Sequence, residues 1–458
     1  MLSSTALSSF GSAARLSARA HSFQPRRFLA QAAAASVPKK DSHPSSYKVV
    51  VVGGGSAGLA VASTLSRTLG DKAVAVVEPA DVHYYQPLWT FVGGGLKPFE
   101  ESKKPMKDVM PRKAQWIKEA VATFAPEENK VTLGNGETIS YDYLVVAAGI
   151  QVNWDKIKNL PQALGKNGVT SNYSAQSVEK TDEFIKEFKG GNALFTMPPV
   201  PIKCAGAPQK IMYIAEELWR DANVRSKANI QYYTAGGAIF PVAKYANELL
   251  KICKKRDLGL NYFTNLTEIK PDSKEAVFDI LAGEAKGTQV TMPYDFLHVV
   301  PPMSAPDFIK ASPLSNADGW VDVNKETMRH TKFNNVYALG DCSSLPTSKT
   351  AAAITAQSGV LKTHLLHDIF GGEMSYPRKY DGYTSCPLIT GTEKLILAEF
   401  SGYTLQPQET FPFDQSKERL STYLLTKEII PDIYWDSMLK GRWQGPAAYR
   451  KLLHAFSD

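Results

Sequence analysis

The run Tyr47-Lys48-Val49-Val50-Val51-Val52 is almost wholly apolar and stops at Gly53, which predicts a strand buried on both faces. A helical period follows from Ser56 to Leu69, and a second apolar run, Ala73 to Val77, ends at Glu78. Together they predict a βαβ opening. Further strand-like runs fall at Tyr143–Ala147, Ala193–Thr196, Asn229–Tyr233 and Phe296–Val300. Helical patterns near Ala207–Arg220 and Lys244–Lys255 lie between some of them. Strands alternating with helices predict an α/β fold with parallel sheets covered on both faces. From about Thr404 the pattern changes to an aromatic-rich tail. No apolar run reaches the roughly 18 residues that a membrane-spanning helix needs.

Composition narrows the class. A chain of 458 residues is long enough for two or three structural units. An apolar share of 43% and a charged share of 21% exclude a disordered chain, a collagen and a coiled coil. Four cysteines exclude a disulfide-stapled secreted scaffold. The net charge of +7 suggests nucleic acid until its distribution is read. Arg15, Arg19, Arg26, Arg27, Lys39 and Lys40 fall in residues 1–40, which hold no Asp or Glu, so the rest is nearly balanced and no nucleic-acid partner is expected. A Ser- and Ala-rich, arginine-bearing, acid-free start is the composition of a mitochondrial transit peptide.

Gly53, Gly55 and Gly58 fit G-x-G-x-x-G between strand and helix, with Ser56 and Ala57 inside the motif. The first glycine permits the tight turn, the second lets a pyrophosphate approach the backbone, and the third lets helix and strand pack closely. Glu78, 20 residues after Gly58, stands where an acid accepts hydrogen bonds from a ribose. Two later strands, Tyr143 to Ala147 running into Gly149 and Asn335 to Gly340 running into Asp341, resemble the other signatures of flavoproteins with two dinucleotide-binding domains. The resemblance implies FAD, held by Asp341 at its ribityl chain, with the helix after Lys349 and Ala351 aimed at the flavin ring. Gln86 and Val121 complete the expected FAD contacts. In the second domain the strand Ala193–Thr196 runs into Pro198, Pro199 and Pro201, which remove N–H donors from the place of a phosphate loop. That domain is read as Rossmann-like without a nicotinamide site.

No C-x-x-C is present, and no Cys/His cluster has zinc spacing, so no metal site is expected. Cys253 lies in a helical pattern and Cys342 follows Asp341, both as packing residues. Cys204 and Cys386 are each bracketed by Pro and Gly, which predicts rigid loops presenting thiols, Cys204 beside Lys203 and a helix N-terminus. Local chemistry alone leaves a redox pair and two isolated buried thiols both open.

The segments Pro201 to Tyr213, Asp341 to Ala351, Tyr380 to Leu388, His83 to Trp89 and Phe411 to Arg419 resemble motifs of the mitochondrial sulfide:quinone oxidoreductase family, over about Tyr47 to Phe456. The resemblance implies that Cys204 and Cys386 are bridged through a disulfide or an added sulfur. Hydrogen sulfide attacks at Cys386, Cys204 passes electrons to FAD, and FAD passes them to ubiquinone. Glutathione, sulfite or cyanide then takes the sulfur from Cys386. It further implies a quinone site, for which Phe413 and Lys417 are candidates. The resemblance also implies docking on the matrix face of the mitochondrial inner membrane; the tail's composition suits a membrane interface, with Trp435, Trp443, Lys440, Arg442, Arg450 and Lys451 expected at the headgroup boundary. The alternative reading of the same helices is a homodimer contact or a cover over the protein core.

The expected organisation is a transit segment in 1–45, a discontinuous FAD domain in 46–165 and 301–385, the second Rossmann-like domain in 166–300, and a quinone and membrane region in 386–458. The rival readings are a type II NADH:quinone dehydrogenase-like flavoenzyme and a non-catalytic mitochondrial flavin-binding interaction protein.

Overall fold

The computed structural model describes residues 43–374 and 376–455, so the transit-peptide reading of the first 40 residues lies outside them. Strand Ser46–Val52 is central and fully buried at Val49, Val50 and Val51. It pairs in parallel with Val74–Val77 on one side and Thr138–Val146 on the other. Gln115–Ile117 extends one edge in parallel. Lys130–Leu133 and Val121–Ala125 continue the other edge as antiparallel strands. Val336–Ala338, about 190 residues downstream, also pairs with Thr138–Val146. The seven-stranded sheet is therefore assembled from two distant stretches of chain. Helices Ser56–Leu69 and Ala351–Phe370 pack on one another beside it.

A second, five-stranded sheet is parallel throughout, in the order Val169–Thr170, Phe296–His298, Gly191–Met197, Ala228–Thr234, Gly259–Asn261. A three-stranded antiparallel sheet, Thr264–Lys270, Glu275–Ile280 and Gln289–Pro293, lies next to it. Two α/β halves are thus present, as the alternation of apolar runs predicted, one sheet parallel throughout and the other parallel except for its two antiparallel edge strands.

Two expectations are corrected. Cys386 is not on a loop. It sits inside strand Tyr383–Ile389, opposite Ala398 of Leu395–Ser401. Aromatic and hydroxyl residues favour the strand there, and Pro387 is tolerated because this two-stranded ribbon leaves its outer edge unpaired.

The tail is not a row of aromatics facing outward. Tyr423, Tyr434, Trp435, Met438 and Leu439 are buried in the main core. Trp443 packs against that core, and Arg450 lies over the Tyr383 ring and donates to the Gln408 carbonyl. Lys440 does stand at the surface, paired with Asp436. Segments Leu425–Ile429 and Tyr434–Met438 are π-helical turns around Pro431, which has no N–H to give an α-helix. The exposed apolar side chains of the region are instead Leu420, Leu424, Ile429, Tyr449, Leu452 and Leu453. Among the described residues no helix is long and apolar enough to cross a membrane.

Candidate functional site

The glycine loop has the geometry its sequence predicts. Gly53 has φ +102°, and a Cβ at Gly58 would lie 1.9 Å from the Gly53 carbonyl oxygen. A Cβ at Gly55 would meet nothing within 4 Å. This open space lies at the positive end of helix Ser56–Leu69, where a pyrophosphate is favoured. Glu78 closes the loop: its carboxylate accepts the Gly54 N–H at 2.7 Å and the Ala80 N–H at 2.8 Å. Ala57 is buried under the loop, Gly149 has φ +73° with open space at its Cβ, and Val121 is buried in its strand.

Asp341 stands at the turn after Val336–Ala338, partly buried, and its carboxylate takes no hydrogen bond among the described residues. Burial raises its pKa, and Lys203 and Lys349 oppose that rise. Lys349 donates to the Ser343 carbonyl at 2.6 Å and lies over the Trp320 ring. Ala351 opens a 20-residue helix capped by Thr350, whose hydroxyl accepts the Ala353 N–H. A glycine cradle with room for phosphates, an acid closing that loop, and a carboxylate free of hydrogen bonds that shares a recess with Lys349, Thr350 and Ala353 form a donor and acceptor set that fits FAD.

The two thiols meet. Cys204 Sγ and Cys386 Sγ are 2.9 Å apart, although 182 residues separate them. Both cysteines are free, with no bond between them. A bonded pair would close to about 2.05 Å. Cys204 has φ +50°, and its N–H donates to the Lys349 carbonyl at 2.9 Å. That bond ties the thiol loop to the segment entering the Ala351 helix. Gln86 joins the same region, its amide oxygen accepting from Lys203 Nζ at 2.8 Å. Lys203 therefore points away from the sulfurs, contrary to the reading that it activates Cys204.

The cation that does so is Lys210, which sequence reasoning missed. It is buried at the start of helix Lys210–Asp221, close enough to Cys386 and Cys204 for its charge to act on both sulfurs. The Cys204 thiol is held below the ordinary range, chiefly by the hydrogen bond with Cys386. Burial acts against this, and Lys210 and the Gly206 and Ala207 N–H groups reinforce it. Burial pushes the Cys386 thiol up. One thiol is thus favoured as thiolate and its neighbour as the protonated donor. The signal for Lys210 was available: a single charge beside the apolar run Ile211-Met212-Tyr213, six residues after a cysteine.

Cys253 and Cys342 are both buried, with pKa values raised by burial, that of Cys342 to about 11, which fits packing roles. Among the described residues no His/Cys/Asp/Glu cluster could hold a metal ion. Phe413 stacks on Phe411 at 5.2 Å beneath the Arg419 guanidinium, and Lys417 pairs with Glu248 at 2.9 Å on the surface.

Residues 47–189 match the family model described as pyridine nucleotide-disulphide oxidoreductase. The mitochondrial sulfide:quinone oxidoreductase of Mus musculus is 50% identical over 408 residues, spanning 89% of this chain and 90% of the mouse protein. Its counterpart in Dictyostelium discoideum is 49% identical, spanning 87% of each chain. The solved sulfide:quinone oxidoreductase of Aquifex aeolicus is 17% identical and shares the fold with a TM-score of 0.74, covering 90% of this chain and 95% of that one. With half its residues identical to the mouse protein across almost nine-tenths of its length, this chain belongs to the mitochondrial sulfide:quinone oxidoreductase family.

Proposed function

We propose that this chain oxidises hydrogen sulfide and delivers the electrons to ubiquinone, using Cys204 and Cys386 as the sulfur relay. The observation that carries the proposal is the 2.9 Å approach of the two sulfurs beside the buried Lys210 ammonium.

In the oxidised pair, hydrosulfide attacks Cys386. A new S–S bond forms there, the Cys204–Cys386 bond breaks, and Cys204 leaves as thiolate with the bonding electrons. Exchange of this kind is fastest when the leaving thiol has a low pKa. Lys210 and the N–H groups of Gly206 and Ala207 surround Cys204 for that purpose. A small acceptor, a thiol such as glutathione, sulfite or cyanide, then removes the outer sulfur and leaves a Cys386 thiolate. The Cys204 thiolate closes again on Cys386 with release of two electrons, either directly once the outer sulfur has been taken or, with no acceptor, through that sulfur as a trisulfide with loss of the persulfide proton. When bound, FAD would supply the two-electron sink between the sulfur pair and quinone. Lys349 carries the Cys204 loop on its carbonyl and interacts with Asp341, which supports a Cys204 sulfur set beside the flavin.

The segment after strand Gly191–Met197 holds Pro198, Pro199 and Pro201 in place of a phosphate loop, which favours sulfide over NADH as the electron donor. Leu420, Leu424, Ile429, Tyr449, Leu452 and Leu453 are exposed near Lys427, Lys440 and Lys451, a composition suited to docking at the inner-membrane surface. For the quinone ring, Phe413 is the better of the two candidates, since Lys417 already has Glu248 as partner.

The test is rapid mixing of the oxidised flavoprotein with sulfide or with NADH. Sulfide bleaches the flavin and NADH does not. Cys204→Ser and Cys386→Ser each abolish the bleaching with FAD retained, and Cys253→Ser leaves it unchanged. Full-rate bleaching in either of the first two variants overturns the relay.

A further inference from the structure

The motif His83-Tyr84-Tyr85-Gln86 is only partly used by the sulfur chemistry. Its histidine is buried and touches two distant parts of the chain. His83 Nδ1 lies 3.1 Å from the Gly54 carbonyl oxygen, and Nε2 lies 2.6 Å from Tyr434 Oη. The same phenol oxygen is 2.7 Å from Ser56 Oγ. Burial pushes the His83 pKa down to about 4, so the ring is neutral.

Directions follow from donor and acceptor chemistry. A carbonyl only accepts, so Nδ1 carries the proton and Nε2 holds the lone pair. Tyr434 must then donate to Nε2, and Ser56 must donate to Tyr434. The chain of bonds runs Ser56 to Tyr434 to His83 to Gly54. It starts and ends on the glycine loop and passes through the C-terminal tail. Tyr434 is also fixed against the Tyr85 ring at 4.2 Å. The tail continues along the loop's helix: Ser63 donates to the Leu439 carbonyl at 2.6 Å and Thr64 to the Gly441 carbonyl at 3.2 Å.

We propose that Tyr434 is a positioning residue for the flavin cofactor, clamping Gly54 and Ser56 in the conformation that receives the pyrophosphate. The proposal rests on the reading that FAD occupies the Gly53–Gly58 loop. Without the phenol hydroxyl the apoprotein loop can relax and find other partners, whereas the loaded loop cannot, so the loss falls on cofactor retention. The sulfur pair is untouched by the change.

The experiment follows FAD release from the holoenzyme by recovery of free-flavin fluorescence. Tyr434→Phe is expected to release FAD about tenfold faster, the equivalent of one net hydrogen bond. Ser56→Ala alone is expected to speed release about threefold and to add little in the Tyr434→Phe background, because both break one relay. Additive effects, or wild-type release from Tyr434→Phe, overturn the clamp. Gly55→Asp serves as the control for the underlying reading, since it fills the open space with a carboxylate. If Gly55→Asp still binds FAD normally, the cofactor is not on this loop and the underlying reading fails. If Gly55→Asp loses FAD while Tyr434→Phe holds it as the wild type does, only the clamp fails.

Discussion

Gly206 stands two residues after Cys204, and the structure says how much room it leaves. A Cβ built there would lie 2.5 Å from Cys386 Sγ, 2.8 Å from Leu388 Cδ2 and 2.9 Å from Phe240 Cε2. Comfortable non-bonded contacts are about 3.5–4.0 Å, so Gly206→Ala must open the site by roughly 1 Å. Leu388 and Phe240 are themselves buried in the core, so neither can swing aside freely. The movement falls on the Cys204 loop or on the Cys386 side chain, and the 2.9 Å approach is lost. A misplacement of about 1 Å in reacting atoms costs on the order of 100-fold in rate. Overpacking adds about 1–3 kcal/mol of instability. The assay is single-turnover flavin reduction by sulfide, with the thermal midpoint and flavin content measured on the same sample. Gly134→Ala is the matched control, because its nearest neighbour would be an ordinary 3.6 Å away. Gly206→Ala is expected to bleach its flavin about 100 times more slowly with FAD in place. A rate within threefold of wild type would refute the claim that the sulfur geometry limits the reaction.

Two further outcomes are expected. Lys210→Met removes a cation that favours the Cys204 thiolate, so the Cys204 pKa rises and the alkylation of the reduced enzyme by iodoacetamide sets in at higher pH than in wild type; an unshifted profile shows that Lys210 does not tune the thiol. Asp341→Ala deletes an unpartnered carboxylate, and a charge-assisted hydrogen bond is worth about 1.5–3 kcal/mol, so FAD titrated into the apoprotein should bind roughly 10- to 100-fold more weakly, with unchanged affinity counting against its ribityl role.

What the sequence revealed depended on how far apart the interacting residues lie. The glycine loop was legible because turn, approach and packing are set within Gly53 to Gly58 and the acid follows at a fixed interval. Cys204 was legible as a loop thiol for the same local reason. Cys386 looked like a loop residue because Gly382 and Pro387 flank it, yet pairing with Leu395–Ser401 makes it a strand residue. Lys210 was missed because what it does depends on Cys386, 176 positions later in the chain. Lys203 was favoured because adjacency in sequence was taken for adjacency in space, while its side chain reaches Gln86. The tail was misjudged for a related reason. Composition distinguishes aromatic and basic residues from others, but not a membrane from a protein core as the thing they face.

That last correction changes what the tail must do. Its inner face supplies Tyr423, Tyr434, Trp435, Met438 and Leu439 to the core, and its outer face leaves Leu420, Leu424 and Ile429 exposed. Burying five such side chains is worth roughly 1.5–3 kcal/mol each, or about 7–15 kcal/mol together. A whole domain is stable by only about 5–15 kcal/mol. A chain ending at Arg419 is therefore expected to lose both the cooperative melt and the flavin, since Ser56 and His83 would also lose Tyr434. A detachable membrane anchor behaves otherwise: removing it leaves a soluble, yellow, fully folded protein. The two cases separate on one purified sample, by its flavin absorbance and its thermal transition. A truncated chain that keeps full FAD occupancy and melts as sharply as the intact protein would show that the tail only docks. Loss of both shows that this segment completes the flavin-binding half of the fold.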